Sequence, residues 1–117
     1  MPNKDRLYLE DIVSSIDAID TYIKEITFIE FVNDRKTQSA TIRELEIIGE
    51  AVSKLSDNIK DKTPEVHWRD IKDLRNLLIH EYFGVDLEII WDIIKNDIPI
   101  LRNVINILQT EANNELY

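Results

Sequence analysis

Residues 9–26 of the chain read LEDIVSSIDAIDTYIKEI, and the spacing of their apolar side chains decides the fold class. The apolar residues recur at steps of three and four, which places them on one face of an α-helix; a half-buried strand would alternate at every second residue. The chain contains twenty isoleucines, which favour strands, but the helical period overrides that preference. We therefore expect a helix over about residues 5–27, with Asp5 as its N-cap and a short continuation through Phe28 and Phe31.

Further apolar stripes with helical spacing follow. One predicts a helix from about Asp34 to Ser56 with Gly49 in its middle, where either a close helix–helix approach or simple tolerance explains the glycine. Residues 57–66 are expected to form a loop, which ends with Thr63 and Pro64 as N-cap and first helical position.

The next stripe starts at Trp68 and predicts a helix that ends near Gly84. Asp86 is expected to cap the following helix, and Pro99 to break or kink the chain before a last helix. Together these stripes predict an all-α, up-and-down bundle of four to five helices, forming one domain over residues 1–117 with a frayed polar tail from about Glu111.

Composition excludes several classes of protein. The chain has 117 residues, which is enough for one core, and only two Gly and three Pro, too few for the turns of an all-β fold. It has no Cys, so disulfides and zinc–thiolate sites are excluded. It has neither an apolar stretch of membrane-spanning length nor a signal peptide, so we expect a cytoplasmic protein. The net charge of −9 opposes nucleic acid on average, so any nucleic-acid site would have to be a local basic cleft.

The residues most able to carry chemistry lie in the segment from Arg75 to Tyr82, RNLLIHEY. On a helix, Arg75 and Tyr82 lie within about 20° of each other, and Asn76 and His80 within about 40°. Spacing alone leaves two interpretations open. The segment is either a functional site or an ordinary helix C-terminus, with His80 favourably placed against the helix dipole and Arg75 paired to an acid.

The motif resembles that of the HEPN ribonucleases, and specifically the HepT toxin family. In that pattern Arg and Asn are followed by three residues and then His, and after one further residue by Tyr, as at positions 75, 76, 80 and 82. Four other segments resemble the family too: residues 47–51 (IIGEA), 68–71 (WRDI), 82–86 (YFGVD) and 91–99 (WDIIKNDIP). The similarity thus covers about residues 5–108.

The resemblance implies a homodimeric endoribonuclease that needs neither metal nor cofactor. His80 would be the general acid or base, Arg75 would hold the scissile phosphate, and Asn76 would orient His80 or the phosphate. The RNA 2′-hydroxyl would be the nucleophile and the product a cyclic phosphate. Glu81 and Asp86 are too few acids for a two-metal site, which agrees with this mechanism. Arg69, Lys72 and Arg43 would add positive charge to the cleft.

The resemblance also implies a partner, an MntA-type nucleotidyltransferase that acts as antitoxin and transfers AMP to Tyr82. The toxin would then be silenced by its partner, as in a type VII toxin–antitoxin pair. Two alternatives remain. One is a non-catalytic helical protein that docks on a small nucleotidyltransferase and helps to bind its substrate, and the other is a dimerising helical protein without activity. The acidic balance favours these alternatives, and the complete Arg–His–Tyr set favours the ribonuclease.

Overall fold

The computed structural model describes residues 3–80 and 86–115, with every side chain in these ranges except those of residues 3, 75–77, 79, 80 and 113–115. The described residues form helices and no strand, so the all-α prediction is confirmed. The helices are α1 (Asn3–Ile23), α2 (Phe28–Val32), α3 (Arg35–Lys54), α4 (Asp57–Lys62), α5 (Trp68–His80), α6 (Leu87–Asp92) and α7 (Ile98–Glu115), with a π-helical turn (Ile93–Asp97) between the last two. None of the described helices is long and apolar enough to cross a bilayer.

The four long helices α1, α3, α5 and α7 match the four strongest stripes in the sequence. The three short helices bring the number of described α-helices above the predicted four to five. Of these three, α6 was expected after its N-cap Asp86, and the sequence does not predict α2 and α4 as separate helices, because five or six residues contain hardly more than one turn.

The predicted continuation of the first helix is wrong, because α1 ends at Ile23. Glu25 then adopts a left-handed backbone with φ of 62°, which interrupts the helix. The chain restarts with a capping box. The Thr27 Oγ1 accepts a hydrogen bond from the Glu30 N–H at 3.2 Å, and the Thr27 N–H donates to Glu30 Oε1 at 3.0 Å.

Asp5 is not the N-cap of α1, which begins at Asn3. Its side chain is 3% exposed, and it accepts hydrogen bonds from the Ser56 backbone N–H (2.9 Å) and hydroxyl (2.7 Å). Together with the hydrogen bond from Ser15 to Glu44 at 3.3 Å, this contact shows that α1 and α3 run antiparallel. Asp5 therefore joins the start of one long helix to the end of the other.

Residues 57–66 are not a plain loop. Ser56 caps α4 by accepting a hydrogen bond from the Ile59 N–H, and Thr63 lies at the end of that helix. The predicted helix start at Thr63 and Pro64 is therefore wrong, and α5 begins at Trp68. The prediction that Asp86 is an N-cap is confirmed, since its carboxylate accepts from the Glu88 N–H at 2.9 Å.

The last third of the chain differs from the sequence expectation in two respects. At Pro99 the helix is not broken; the π-helical turn precedes it, and the Ile98 N–H donates to the Ile93 carbonyl. The sequence predicts a frayed tail from about Glu111, and α7 extends past that residue to Glu115, with Ala112 buried. The expected end of the third long helix near Gly84 lies outside the described residues.

One apolar core joins all the long helices. α3 packs against α1, α2 and α5, and α1 also packs against α7. The largest fully buried side chains are Phe31, Leu9, Ile12, Ile16, Ile19, Leu45, Ile48, Leu78, Ile90, Leu101, Ile105 and Val52. On the surface, Arg102 of α7 pairs with Asp17 at 2.8 Å and with Asp20, which ties α7 to α1.

We expect Asp5→Ala to lower the free energy of unfolding by about 1–3 kcal/mol, because the Ser56 donors lose their acceptor. The midpoint of urea denaturation, followed by circular dichroism, measures the change. Glu10→Ala, on the exposed side of α1, is the matched control and should change stability by less than about 0.5 kcal/mol. Equal effects of the two substitutions would show that the Asp5–Ser56 contact contributes nothing specific.

Candidate functional site

Helix α5 is held in the bundle by one apolar face. Trp68, Ile71, Leu74 and Leu78 are all buried, at 8% exposure or less. The indole N–H of Trp68 also donates to the Thr63 hydroxyl at 3.0 Å and to the Thr63 carbonyl at 3.2 Å. These bonds fix the first turn of α5 against the end of α4, so the rotation of α5 about its axis is determined.

The backbone of Arg75, Asn76 and His80 lies in the last two turns of α5. Helix geometry places positions 76 and 80 about one turn apart, on the side opposite the buried face. Position 75 lies nearer the buried face, about 40° from Ile71. The side chains of these three residues and the whole of Tyr82 lie outside the described residues, so their roles stay predictions.

Arg69 and Lys72 are both exposed, and their positions on α5 lie in the same sector as positions 76 and 80. We call this set, Arg69, Lys72, Asn76 and His80, the α5 stripe. In the part of the chain that the structure describes, neither Arg69 nor Lys72 forms an ion pair. Neither side chain therefore has to break an ion pair with a described carboxylate before it binds a phosphate.

Arg43 lies elsewhere, in a groove between α1 and α3. Its guanidinium pairs with Glu46 at 3.4 Å. The groove has a volume of about 300 Å³, and its described lining residues are Tyr8, Asp11, Arg43, Glu46, Ile47, Glu50, Ala51 and Lys54. None of these residues belongs to α5. Among the described side chains, Arg69 and Lys72 thus lie on the exposed face of α5, and no described contact joins Arg43 to either of them.

His67, the chain's other histidine, lies before α5 and is exposed, with its Nδ1 3.8 Å from Asp70 Oδ2. It borders a cavity of about 60 Å³ between α5 and the π-helical turn, lined by Glu65, Val66, His67, Asp70, Ile71, Leu74, Ile93, Asp97 and Ile100. Among the described residues, no three His, Asp or Glu side chains lie close enough together to hold a metal ion.

Asp97 was not singled out by sequence reasoning, and it is the unusual group in this cavity. Desolvation raises the pKa of its carboxyl, and the charges of Asp92 and Asp70 raise it further, against an opposing effect of His67. The signal in the sequence is the spacing of Asp97, which lies four residues after Ile93 and three before Ile100 and so shares a helix face with them.

Comparison with known proteins assigns the chain to a family. The model of the family described as "Ribonuclease HepT-like" matches residues 12–108, a span that includes α5 and the motif positions. The chain therefore belongs to the HepT-like ribonuclease family, as the motif predicts.

Named relatives agree with this assignment. "Putative RNase MJ0127" of Methanocaldococcus jannaschii is 43% identical over 99% of this chain and 100% of its own. "Probable ribonuclease HepT" of Thermococcus cleftensis is 47% identical over 81% of this chain and 86% of its own. "Putative RNase TTE0752" of Caldanaerobacter subterraneus is 44% identical over 91% of this chain and 96% of its own. No solved structure matches the chain at a comparable level of significance.

We expect Asp97→Asn to stabilise the protein slightly at pH 7. A raised pKa means that the folded state disfavours the ionised carboxylate more than the unfolded state does. Ionisation of Asp97 therefore lowers the free energy of unfolding above the folded-state pKa, and it has no such effect below the unfolded-state pKa of 3.8. The gain should stay below about 0.5 kcal/mol, because solvent screens this partly exposed group. Thermal unfolding at pH 7 and pH 3.5 measures it, with exposed Asp61→Asn as control. A gain that persists at pH 3.5 would contradict the electrostatic cause.

Proposed function

We propose that this protein is a metal-independent endoribonuclease. The observation that carries the proposal is the match to the ribonuclease HepT-like family across α5, the helix with the Arg75–His80 motif. The relatives' names describe ribonucleases, and the exposed cations of the α5 stripe support the same activity. They supply local positive charge in a chain of net charge −9, as RNA binding by an acidic protein would require.

In the proposed reaction the RNA 2′-hydroxyl attacks the adjacent phosphorus, and the bond from phosphorus to the 5′ oxygen breaks. The products are a cyclic 2′,3′-phosphate and a free 5′-hydroxyl. His80 transfers a proton, since imidazole titrates near neutral pH. Arg75 stabilises the charge that develops on the phosphate oxygens, and Asn76 orients His80 or the phosphate through a hydrogen bond.

The proposed assembly is a twofold-symmetric homodimer. In this arrangement His80 of one protomer faces Arg75 of the other, and the two α5 stripes border a shared cleft. Symmetry doubles every charge at the cleft, so Arg69 and Lys72 contribute two cations from each protomer. This doubling would produce a basic seam in an otherwise acidic particle.

The proposed regulation is AMP transfer to Tyr82 by a nucleotidyltransferase antitoxin. The phenol oxygen would attack the α-phosphate of ATP, pyrophosphate would leave, and the phenol proton would pass to solvent. Positions 75 and 82 lie within about 20° on a helix. The new phosphodiester would therefore compete with RNA for Arg75 and block the cleft by its bulk.

We expect His80→Ala to lower RNA cleavage about 10²-fold or more, through the loss of proton transfer. Arg75→Ala should lower it to a comparable extent, through the loss of charge stabilisation. Cleavage of a fluorophore-labelled, mixed-sequence RNA measures both effects. His67→Ala and Arg35→Ala are the matched controls, since both residues are exposed and lie outside the α5 stripe; they should stay within about twofold of the unsubstituted protein.

Two further cleavage experiments test the mechanism. Activity should persist in EDTA, and replacing the 2′-hydroxyl at the cleaved position by hydrogen should stop cleavage. Full activity of His80→Ala and Arg75→Ala, or loss in EDTA with rescue by Mg²⁺, would contradict the assignment. An inactive unsubstituted protein that binds a nucleotidyltransferase would favour the alternative of a non-catalytic docking partner.

Tyr82→Phe should keep most of the cleavage activity, because the phenol has no part in the proposed proton transfers. It should also escape inactivation by the nucleotidyltransferase. Intact-mass analysis after incubation with that enzyme and ATP should show added AMP on the unsubstituted protein and none on the Phe variant. Tyr22→Phe is the matched control and should still be modified. Modification that maps to Tyr8, Tyr22 or Tyr117 would overturn the role of Tyr82 and leave the ribonuclease proposal intact.

A further inference from the structure

A second surface, separate from the α5 stripe, lies along α7. A depression of about 530 Å³ is lined by Lys62, Thr63, Glu65, Ile100, Asn103, Val104, Ile107, Leu108 and Glu111. It shares Glu65 and Ile100 with the smaller cavity between α5 and the π-helical turn. The two therefore form one continuous surface, which we call the α7 groove.

The floor of the α7 groove is apolar and unpartnered. Ile100 is 45% exposed and Ile107 is 58% exposed. They are seven residues apart and so lie within about 20° of each other on α7. The buried side chains of Val104 and Leu108 extend this face toward the core. Exposed aliphatic side chains collected in a groove are typical of a docking site.

The rim of the α7 groove is acidic. Four carboxylates line its two parts: Glu65, Asp70, Asp97 and Glu111. The basic residues in the lining are one lysine, Lys62, and one histidine, His67. Desolvation beside Ile93 and Ile100 raises the pKa of Asp97, so its ionised carboxylate is incompletely stabilised by the chain itself. A cation from another molecule would supply the missing partner.

This charge pattern decides between possible occupants. A second copy of the chain would bring the same acidic rim against itself, and like charges close together oppose association. RNA would meet these carboxylates with its phosphates, on a chain whose net charge is already −9. A basic protein segment matches both the apolar floor and the rim.

We propose that the α7 groove docks an amphipathic segment of a different protein, with aliphatic side chains that cover Ile100 and Ile107 and with Lys or Arg side chains that pair with the rim. A long basic side chain suits the small cavity, since its alkyl stem contacts Ile71 and Ile93 while its charged end reaches Asp97. The groove meets α5 on the side of Asp70 and Leu74, away from the α5 stripe. The partner would therefore leave the stripe uncovered, and the proposal does not depend on ribonuclease activity.

The test uses a synthetic amphipathic peptide of 18 residues, with Leu at helical spacing and Lys on the opposite face. Fluorescence anisotropy at physiological salt should show binding, and the same peptide with Glu in place of Lys should not bind. Ile107→Lys should weaken binding at least tenfold. Ile29→Lys is the matched control, because Ile29 is 73% exposed on α2 and the change in net charge is the same; it should change affinity by less than about twofold.

A second pair of variants, in which a glutamate is replaced by lysine, repeats the test without altering the apolar floor. Glu111→Lys should weaken binding, and Glu10→Lys, exposed on α1, should not. With isoleucine methyl groups labelled for NMR, the peptide should shift the Ile100 and Ile107 signals and leave Ile29 and Ile89 in place. Absence of binding, equal effects of Ile107→Lys and Ile29→Lys, or shifts confined to Ile29 and Ile89 would overturn the proposal. So would sedimentation showing that Ile107→Lys dissociates a homodimer, since a second copy would then occupy the groove.

Discussion

The position of α3 between α1 and α5 is the constraint on which the rest of the structure depends. Its buried face, which includes Leu45, Ile48 and Val52, contacts both neighbours, and no other described helix packs closely against α5. The rotation of α5 follows from this contact and from the Trp68–Thr63 hydrogen bonds. Packing far from the candidate site thus decides which residues of α5 face outward.

The sequence was sufficient for the long helices because each has enough turns to repeat its apolar pattern. It failed where tertiary contacts outweigh local preference. Asp5 is a good capping residue in isolation, yet its carboxylate is buried against Ser56, fifty-one positions away in the chain. Thr27 and Glu30 do carry a capping signal, but the apolar spacing of Phe28 and Phe31 favours a continuation of the first helix across the turn.

The candidate site, like the fold, could be predicted from the sequence only in part. The family resemblance predicts Arg75, Asn76 and His80 as site residues without a structure, whereas their spacing alone leaves an ordinary helix C-terminus open; their roles stay predictions. The exposure of Arg69 and Lys72 and the separate location of Arg43 needed the fold, since they depend on how helices pack. The raised pKa of Asp97 also needed the fold, because the sequence places Asp97 near Ile93 and Ile100 but does not show that residues of α5 line the same cavity.

The π-helical turn at Ile93–Asp97 has a consequence for how this helix tolerates changes in length. The buried residues before, within and after it, Ile90, Ile94, Ile98 and Leu101, follow steps of four, four and three. Two successive steps of four contain more residues than two α-helical turns. The wider π-helical turn, in which the Ile98 N–H donates to the Ile93 carbonyl, accommodates the additional residue. Such a turn is equivalent to a single inserted residue held within a helix. Shorter homologous chains could therefore lose one residue here and keep both halves of the helix in register with the core.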